Sequence, residues 1–254
     1  MPLYFNYSRG YELVEWIELN RILGAERFTV YVKSCASNVE DILKYYKGIG
    51  VVDVVQWNLP VDDIHYFGQV AALQDCLYRN KEASGYIVNI DLDEFIIPHK
   101  RDVITWNDIV AKYNRNKSMS FNFRNVFFRK EWLGLAGNHK FSGSALAAKY
   151  NMITLLLSAH EAKVFPIGSR SKYIARTALA TFLLIHDVRG TGYSVRVPQD
   201  VALLHHYRNW SNYSNVEARI TDNTVLKKYG VNLTHNVQYT WKQLPDVFLG
   251  QTDE

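Results

Sequence analysis

Between residues 11 and 90 the apolar positions switch repeatedly between a helical and an extended period, and this alternation limits what the chain can become. Leu13, Trp16, Ile17, Ile22 and Leu23 recur without proline and Gly24 supplies a stop, so residues 11–23 read as a helix buried on several sides. Phe28–Val32 alternates as a strand. Asn38 stands where it can cap a second helix with the core stripe Val39, Ile42, Leu43 and Tyr46, ended by Gly48. Residues 51–57 are rich in β-branched side chains and form a second strand. Tyr66, Val70, Leu73 and Leu77 mark one face of a third helix, and residues 86–90 are the third strand. Strand, helix, strand, helix, strand predicts an α/β fold with a mostly parallel central sheet and helices on both faces.

Beyond Pro98 the pattern is less regular. Trp106–Tyr113 reads as a helix, residues 119–128 as a strand and residues 171–185 as a mixed segment. A final helix spans residues 215–229, closed by Gly230, before a polar tail ending in Gln251, Thr252, Asp253 and Glu254. With 254 residues and 48% hydrophobic content the chain buries a sizeable core, and one domain is expected. Net charge is only +4 and the Lys and Arg residues are scattered apart from short clusters such as Arg9, Arg21 and Arg27, so nucleic acid is not an indicated partner. Two cysteines, Cys35 and Cys76, imply no disulfide framework. The first residues show neither a signal peptide nor a membrane anchor. Asn6, Asn116, Asn209, Asn212 and Asn232 begin glycosylation triplets, usable only in a secretory lumen.

One run resists explanation by burial. The apolar stretch from Ile87 to Ile90 leads straight into Asp91, Leu92, Asp93 and Glu94, then returns to apolar residues at Phe95. On an extended chain Asp91 and Asp93 point to the same side, roughly 6 to 7 Å apart at Cα, with Leu92 opposite. Two such carboxylates at a strand end hold a hard divalent cation, and in open α/β sheets ligands collect beyond the carboxyl ends of strands. The plainer alternative is a solvated turn whose acids cap a following helix.

These acids lie among further motifs. Residues 12–20, the segment His65, Tyr66, Phe67, Gly68 and Gln69, residues 75–79, the run from Asp91 to Pro98, Arg170 to Ile174, Ile185 with His186, and His206, Tyr207 and Arg208 together resemble glycosyltransferase family 92 over nearly the whole chain. The resemblance implies a GT-A-type nucleotide-diphospho-sugar transferase fold, with a donor-binding half over residues 1–100 and an acceptor-side half with a C-terminal helix over 101–254. It implies Mn²⁺ or Mg²⁺ as cofactor and transfer of a sugar, commonly galactose from UDP-galactose, to a glycan on a glycoprotein or glycolipid. Relatives of this kind are Golgi proteins held by an N-terminal anchor and stem, and this chain resembles their catalytic domain, as a shortened chain or a member without its anchor.

Within that scheme Asp93 is the expected direct metal ligand, Asp91 shares the metal or a ribose hydroxyl, and Glu94 orients either one. His206 is the expected third ligand, with His186 in reserve. Lys172 and Arg208 are expected to meet the diphosphate, and Gln69, at the start of a helix, the donor. An inverting transfer also needs a carboxylate base; Glu131, Glu161 and Asp187 are the candidates, with no choice among them. Lys33 stands where related folds place an Asp or Asn for the nucleotide. A carbohydrate-binding or scaffolding protein of the same fold is the alternative. A glycoside hydrolase ranks below both, since Asp91 and Asp93 lie too close in sequence to flank a glycosidic bond.

Overall fold

The computed structural model describes residues 2–61, 64–133, 141–209 and 218–250. Asn212, the expected helix start at Asn215 and the tail from Gln251 to Glu254 lie outside the described residues. Helix α1 (Gly10–Leu23) ends where expected, because Gly24 takes a left-handed conformation (φ 113°) that returns its amide to the Arg21 carbonyl. It is buried on nearly every side, and its acids are satisfied internally. Glu18 Oε1 accepts from the hydroxyls of Tyr46 (2.8 Å) and Thr240 (3.1 Å), while Glu15 accepts from the amides of Ile153 and Thr154 at 3.0 Å each.

Strand β1 (Phe28–Val32) pairs in parallel with β2 (Val52–Gln56), Phe28 opposite Val52, across the connecting helix α2 (Ser37–Gly48). Asn38 is not the cap of α2. The helix already includes it, and its buried amide donates instead to the carbonyls of Ser8 (2.7 Å) and Phe248 (3.1 Å), fastening both ends of the described chain together. Helix α3 (Gln69–Asn80) begins later than the apolar pattern implies. Tyr66 and Phe67 take left-handed φ values of 46° and 51°, so Tyr66 leaves the helix face and is 54% exposed.

Strand β3 (Tyr86–Asn89) passes through a tight turn into β4 (Glu94–Pro98). Helix α4 (Trp106–Tyr113) coincides with its sequence pattern, and Thr105 and Asp108 form a reciprocal cap at its start. The single strand expected over 119–128 is two, β5 (Ser118–Phe123) and β6 (Asn125–Arg129), which break at Arg124 and enter different sheets. Helices α5 (Ser144–Lys149) and α6 (Ile153–Leu156) precede β7 (Ala159–Glu161), β8 (Lys172–Arg176), β9 (Ala180–Leu183), β10 (Val188–Gly190), β11 (Tyr193–Arg196), β12 (Ala202–Arg208) and β13 (Arg219–Thr221). Helix α7 (Thr224–Gln243) runs straight through Gly230, which has no left-handed φ and no stop function. A Cβ there would lie 3.1 Å from Leu226 Cδ1 and 3.7 Å from Leu155 Cδ2, so the glycine marks close packing rather than an end.

The architecture is mixed α/β, and its sheets are mixed rather than mostly parallel. One sheet has the order β11-β5-β8-β3, with β8 antiparallel to both neighbours; another has the order β4-β12-β6, with β12 antiparallel to β4 and parallel to β6. β3 does not pair with β1; it takes its hydrogen bonds from the late strand β8, and residues of both β1 and β3 line the cleft described below. The main core draws Leu13, Ile42, Phe95, Phe121, Leu204 and Leu233 together from both halves of the chain. Cys35 and Cys76 are free, and no helix among the described residues is long and apolar enough to cross a membrane.

Candidate functional site

Asp91 and Asp93 occupy the turn between β3 and β4 rather than an extended strand, and Glu94 opens β4. The Glu94 amide donates to the Asp91 carbonyl (3.1 Å), and Glu94 Oε2 accepts in return from the Asp91 amide (3.0 Å). Asp91 and Asp93 nevertheless line the same cleft, of about 990 Å³, whose walls include Trp16 from α1, residues of β1 and β3, and Gln69, Lys130 and Arg208. Trp16 Nε1 donates to the Asp91 carbonyl (2.9 Å), so α1 supports the turn directly.

Behind the turn stand a lysine ammonium and an imidazole. Lys172 on β8, with its side chain 1% exposed, places Nζ 2.9 Å from Asp91 Oδ2 and 3.3 Å from Glu94 Oε2. His206 on β12 places Nε2 3.2 Å from Asp93 Oδ2 and Nδ1 3.3 Å from Glu94 Oε1. Glu94 lies opposite His206 in the β4–β12 register, and its carboxylate sits between the Lys172 ammonium and the His206 imidazole. Burial alone would raise the Asp91 carboxyl, but Lys172 beside it holds it well below the usual range. Burial raises Glu94 despite the same lysine. Burial works against charge on Lys172 and His206, yet Glu94 and Asp91 keep the lysine above its ordinary value and the Asp93 contact keeps the imidazole above its own.

The expected residues therefore divide. Asp91, Asp93, Gln69 and Arg208 reach the cleft, while Glu94 and His206 back the acids. Lys172 is turned inward: its ammonium serves Asp91 and Glu94 behind the turn and is not a cleft-lining group. His186 lies aside, its Nδ1 against the Ser171 carbonyl (2.8 Å). Among the candidate bases, Glu161 is consumed by a buried ion pair with Arg129 (2.5 Å), and neither Glu131 nor Asp187 lines the cleft. Sequence reasoning overlooked Lys130, which lines the cleft and bonds Glu12 Oε1 (2.9 Å), and Tyr4 and Arg9, which also line it. Lys130 carries no local signal; Glu12 and Trp16 belong to a motif whose role becomes evident once α1 is seen packed under the acids.

The donor chemistry of Asp91, Asp93 and His206, two carboxylates and an imidazole, suits a hard to borderline divalent ion. Their ligand atoms are not gathered as closely as those of His99, His205 and Asp222, which all lie within 4.8 Å of one another.

Comparison with known proteins agrees with the motifs. A beta-1,4-galactosyltransferase, galt-1, of Caenorhabditis elegans is 34% identical over 99 residues, covering 36% of this chain and 23% of that protein. The glycosyltransferase family 92 protein F13G3.3 of the same organism is 30% identical over 110 residues, covering 39% of this chain and 22% of its own length. The matched stretches thus span about a quarter of either relative. A solved mycobacterial protein aligns with 95% of this chain and 72% of its own at 16% identity and a TM-score of 0.35, below what identifies a shared fold. The model of glycosyltransferase family 92 matches residues 1–252, and on that match the chain belongs to glycosyltransferase family 92.

Proposed function

We propose that this chain is the catalytic domain of a metal-dependent glycosyltransferase of GT-A type, moving a hexose, galactose from UDP-galactose, onto a glycan hydroxyl with inversion, in the Golgi lumen. The observation that carries the reading is the acidic turn from Asp91 to Glu94 opening on a cleft large enough for a sugar nucleotide. Asp93, with its side chain 37% exposed, and His206 beside it would hold Mn²⁺ or Mg²⁺ together with Asp91. When bound, that ion neutralises the pyrophosphate of the departing nucleotide. Glu94 holds the turn closed through the Asp91 amide, and Lys172 fixes the Asp91 carboxylate from behind. Arg208 and Gln69 line the cleft where they meet the donor, and Lys130 adds positive charge next to Asp93.

The test is a screen of UDP-sugars against glycan acceptors with and without Mn²⁺, run on the wild type and on Asp93→Ala. The expected result is Mn²⁺-dependent transfer, abolished in the variant, with an unchanged melting temperature. Undiminished transfer in the variant would overturn the assignment of Asp93. Sugar nucleotide binding without turnover of any donor would favour a carbohydrate-binding protein of the same fold.

A further inference from the structure

Successive side chains of a strand point to opposite faces, so on β12 His206 meets the acidic turn while His205 faces away from it. His205 is fully buried and packs on Phe128, ring centroids 4.5 Å apart. Two residues from distant parts of the chain meet it there. His99 directly follows β4, its backbone amide donating to the Val201 carbonyl (2.8 Å). Asp222 directly follows β13, its amide bound to the Ser158 carbonyl (2.8 Å) and its Oδ1 accepting from the Thr224 amide (2.8 Å) at the entry to α7.

The Nε2 atoms of His99 and His205 are 2.8 Å apart, and Asp222 Oδ2 lies 3.4 Å from that of His205 and 3.7 Å from that of His99. Asp222 Oδ2 is buried, in a side chain 6% exposed, and accepts no hydrogen bond. A carboxylate oxygen left so is costly unless a positive centre faces it. Two imidazole nitrogens at this separation cannot both carry hydrogens, so at least one lone pair also points into the group. Lys228, whose charge acts on His99, does not fill the gap, because its Nζ is bound to the carbonyls of Pro98, Lys100 and Val103 at 2.9, 2.8 and 2.7 Å. The edges of this triangle bracket the roughly 3.3 Å that bonds of ~2.05 Å make at tetrahedral angles.

We propose that His99 Nε2, His205 Nε2 and Asp222 Oδ2 bind a divalent transition metal, zinc by preference, which pins the start of α7 to the β4–β12 pair. Two imidazoles and one carboxylate suit zinc better than the harder ions that all-oxygen sites select. His99, with its side chain 19% exposed, lies where the ion enters and where water takes the fourth position. His160 on β7, with Nδ1 held 2.6 Å from the Glu161 carbonyl, is a further buried imidazole of this region. The site lies on the other face of β12 from the acidic turn and stands or falls independently of sugar transfer.

The test uses the untagged full chain, purified with zinc present, desalted and assayed by elemental analysis. One zinc per chain is expected in the wild type and in Asp93→Ala, falling at least tenfold in occupancy in His99→Gln and Asp222→Asn. Cobalt(II) added to zinc-free wild type should give the intense visible bands of tetrahedral coordination, and Asp222→Asn should lack them. Chelation should lower the wild-type melting temperature. Zinc-free wild type after desalting, the absence of cobalt bands in folded wild type, or zinc content untouched by both substitutions would each overturn the site, leaving a hydrogen-bonded histidine pair.

Discussion

Lys172 Nζ lies 2.9 Å from Asp91 Oδ2 with its side chain 1% exposed, so the acidic turn carries its own buried counter-ion. Replacing the lysine by an uncharged side chain strands Asp91 and Glu94 in low dielectric. Lys172→Met should cost ~3–5 kcal/mol of folding stability, read as a lower urea midpoint, and should also abolish transfer. An unchanged midpoint would show that the acids do not depend on this cation.

Trp16 Nε1 donates to the Asp91 carbonyl at 2.9 Å, and its ring packs edge-on against Phe28 at 5.3 Å. Trp16→Phe keeps an aromatic ring but deletes the donor. A stability loss of ~1 kcal/mol and a several-fold lower turnover are expected. Wild-type turnover in that variant would mean that the turn holds its shape without the bond.

Glu15 is 1% exposed, and burial raises its carboxyl from 4.5 to about 7 even though Thr154 and Ile153 donate to it. The folded state thus holds this proton more tightly than the unfolded chain does. Its contribution to stability is complete below about pH 4.5 and is lost as pH rises through about 7. The wild type should lose roughly 3 kcal/mol across that window through this group, and Glu15→Gln should lose correspondingly less. Equal pH slopes for the two proteins in urea titrations would remove Glu15 as the source.

Gly230 lies inside α7 with a helical backbone, where an added Cβ would meet the flexible end of Leu226 at 3.1 Å. Because that side chain can give way, Gly230→Ala should stabilise the protein by ~0.5–1 kcal/mol through helix propensity. A bulkier Gly230→Leu should be destabilising by overpacking against Leu155. A lower melting temperature for the alanine variant would show that Leu226 does not give way and that the close packing requires glycine.

Residues 11–23, Phe28–Val32 and Trp106–Tyr113 could be read from the chain because apolar period, caps and stop residues act within a few positions of one another. The run Asp91, Leu92, Asp93, Glu94 was also legible, since carboxylates interrupting an apolar stretch have no place in a plain core. The amino-acid order alone thus determined the early alternation of elements, the acidic run and the motifs that carry the family resemblance. Tertiary structure decided the rest. Lys172 lies 81 positions from Asp91, and its choice between cleft and interior depends on which sheet β8 joins. Non-local pairing likewise made the sheets mixed, and the pairings of β12 with β4 and of β13 with β7 accompany the meeting of His205, His99 and Asp222. Strand partners and buried charges are chosen by hydrogen-bond satisfaction and desolvation summed over the whole fold, and no short window of sequence contains those terms.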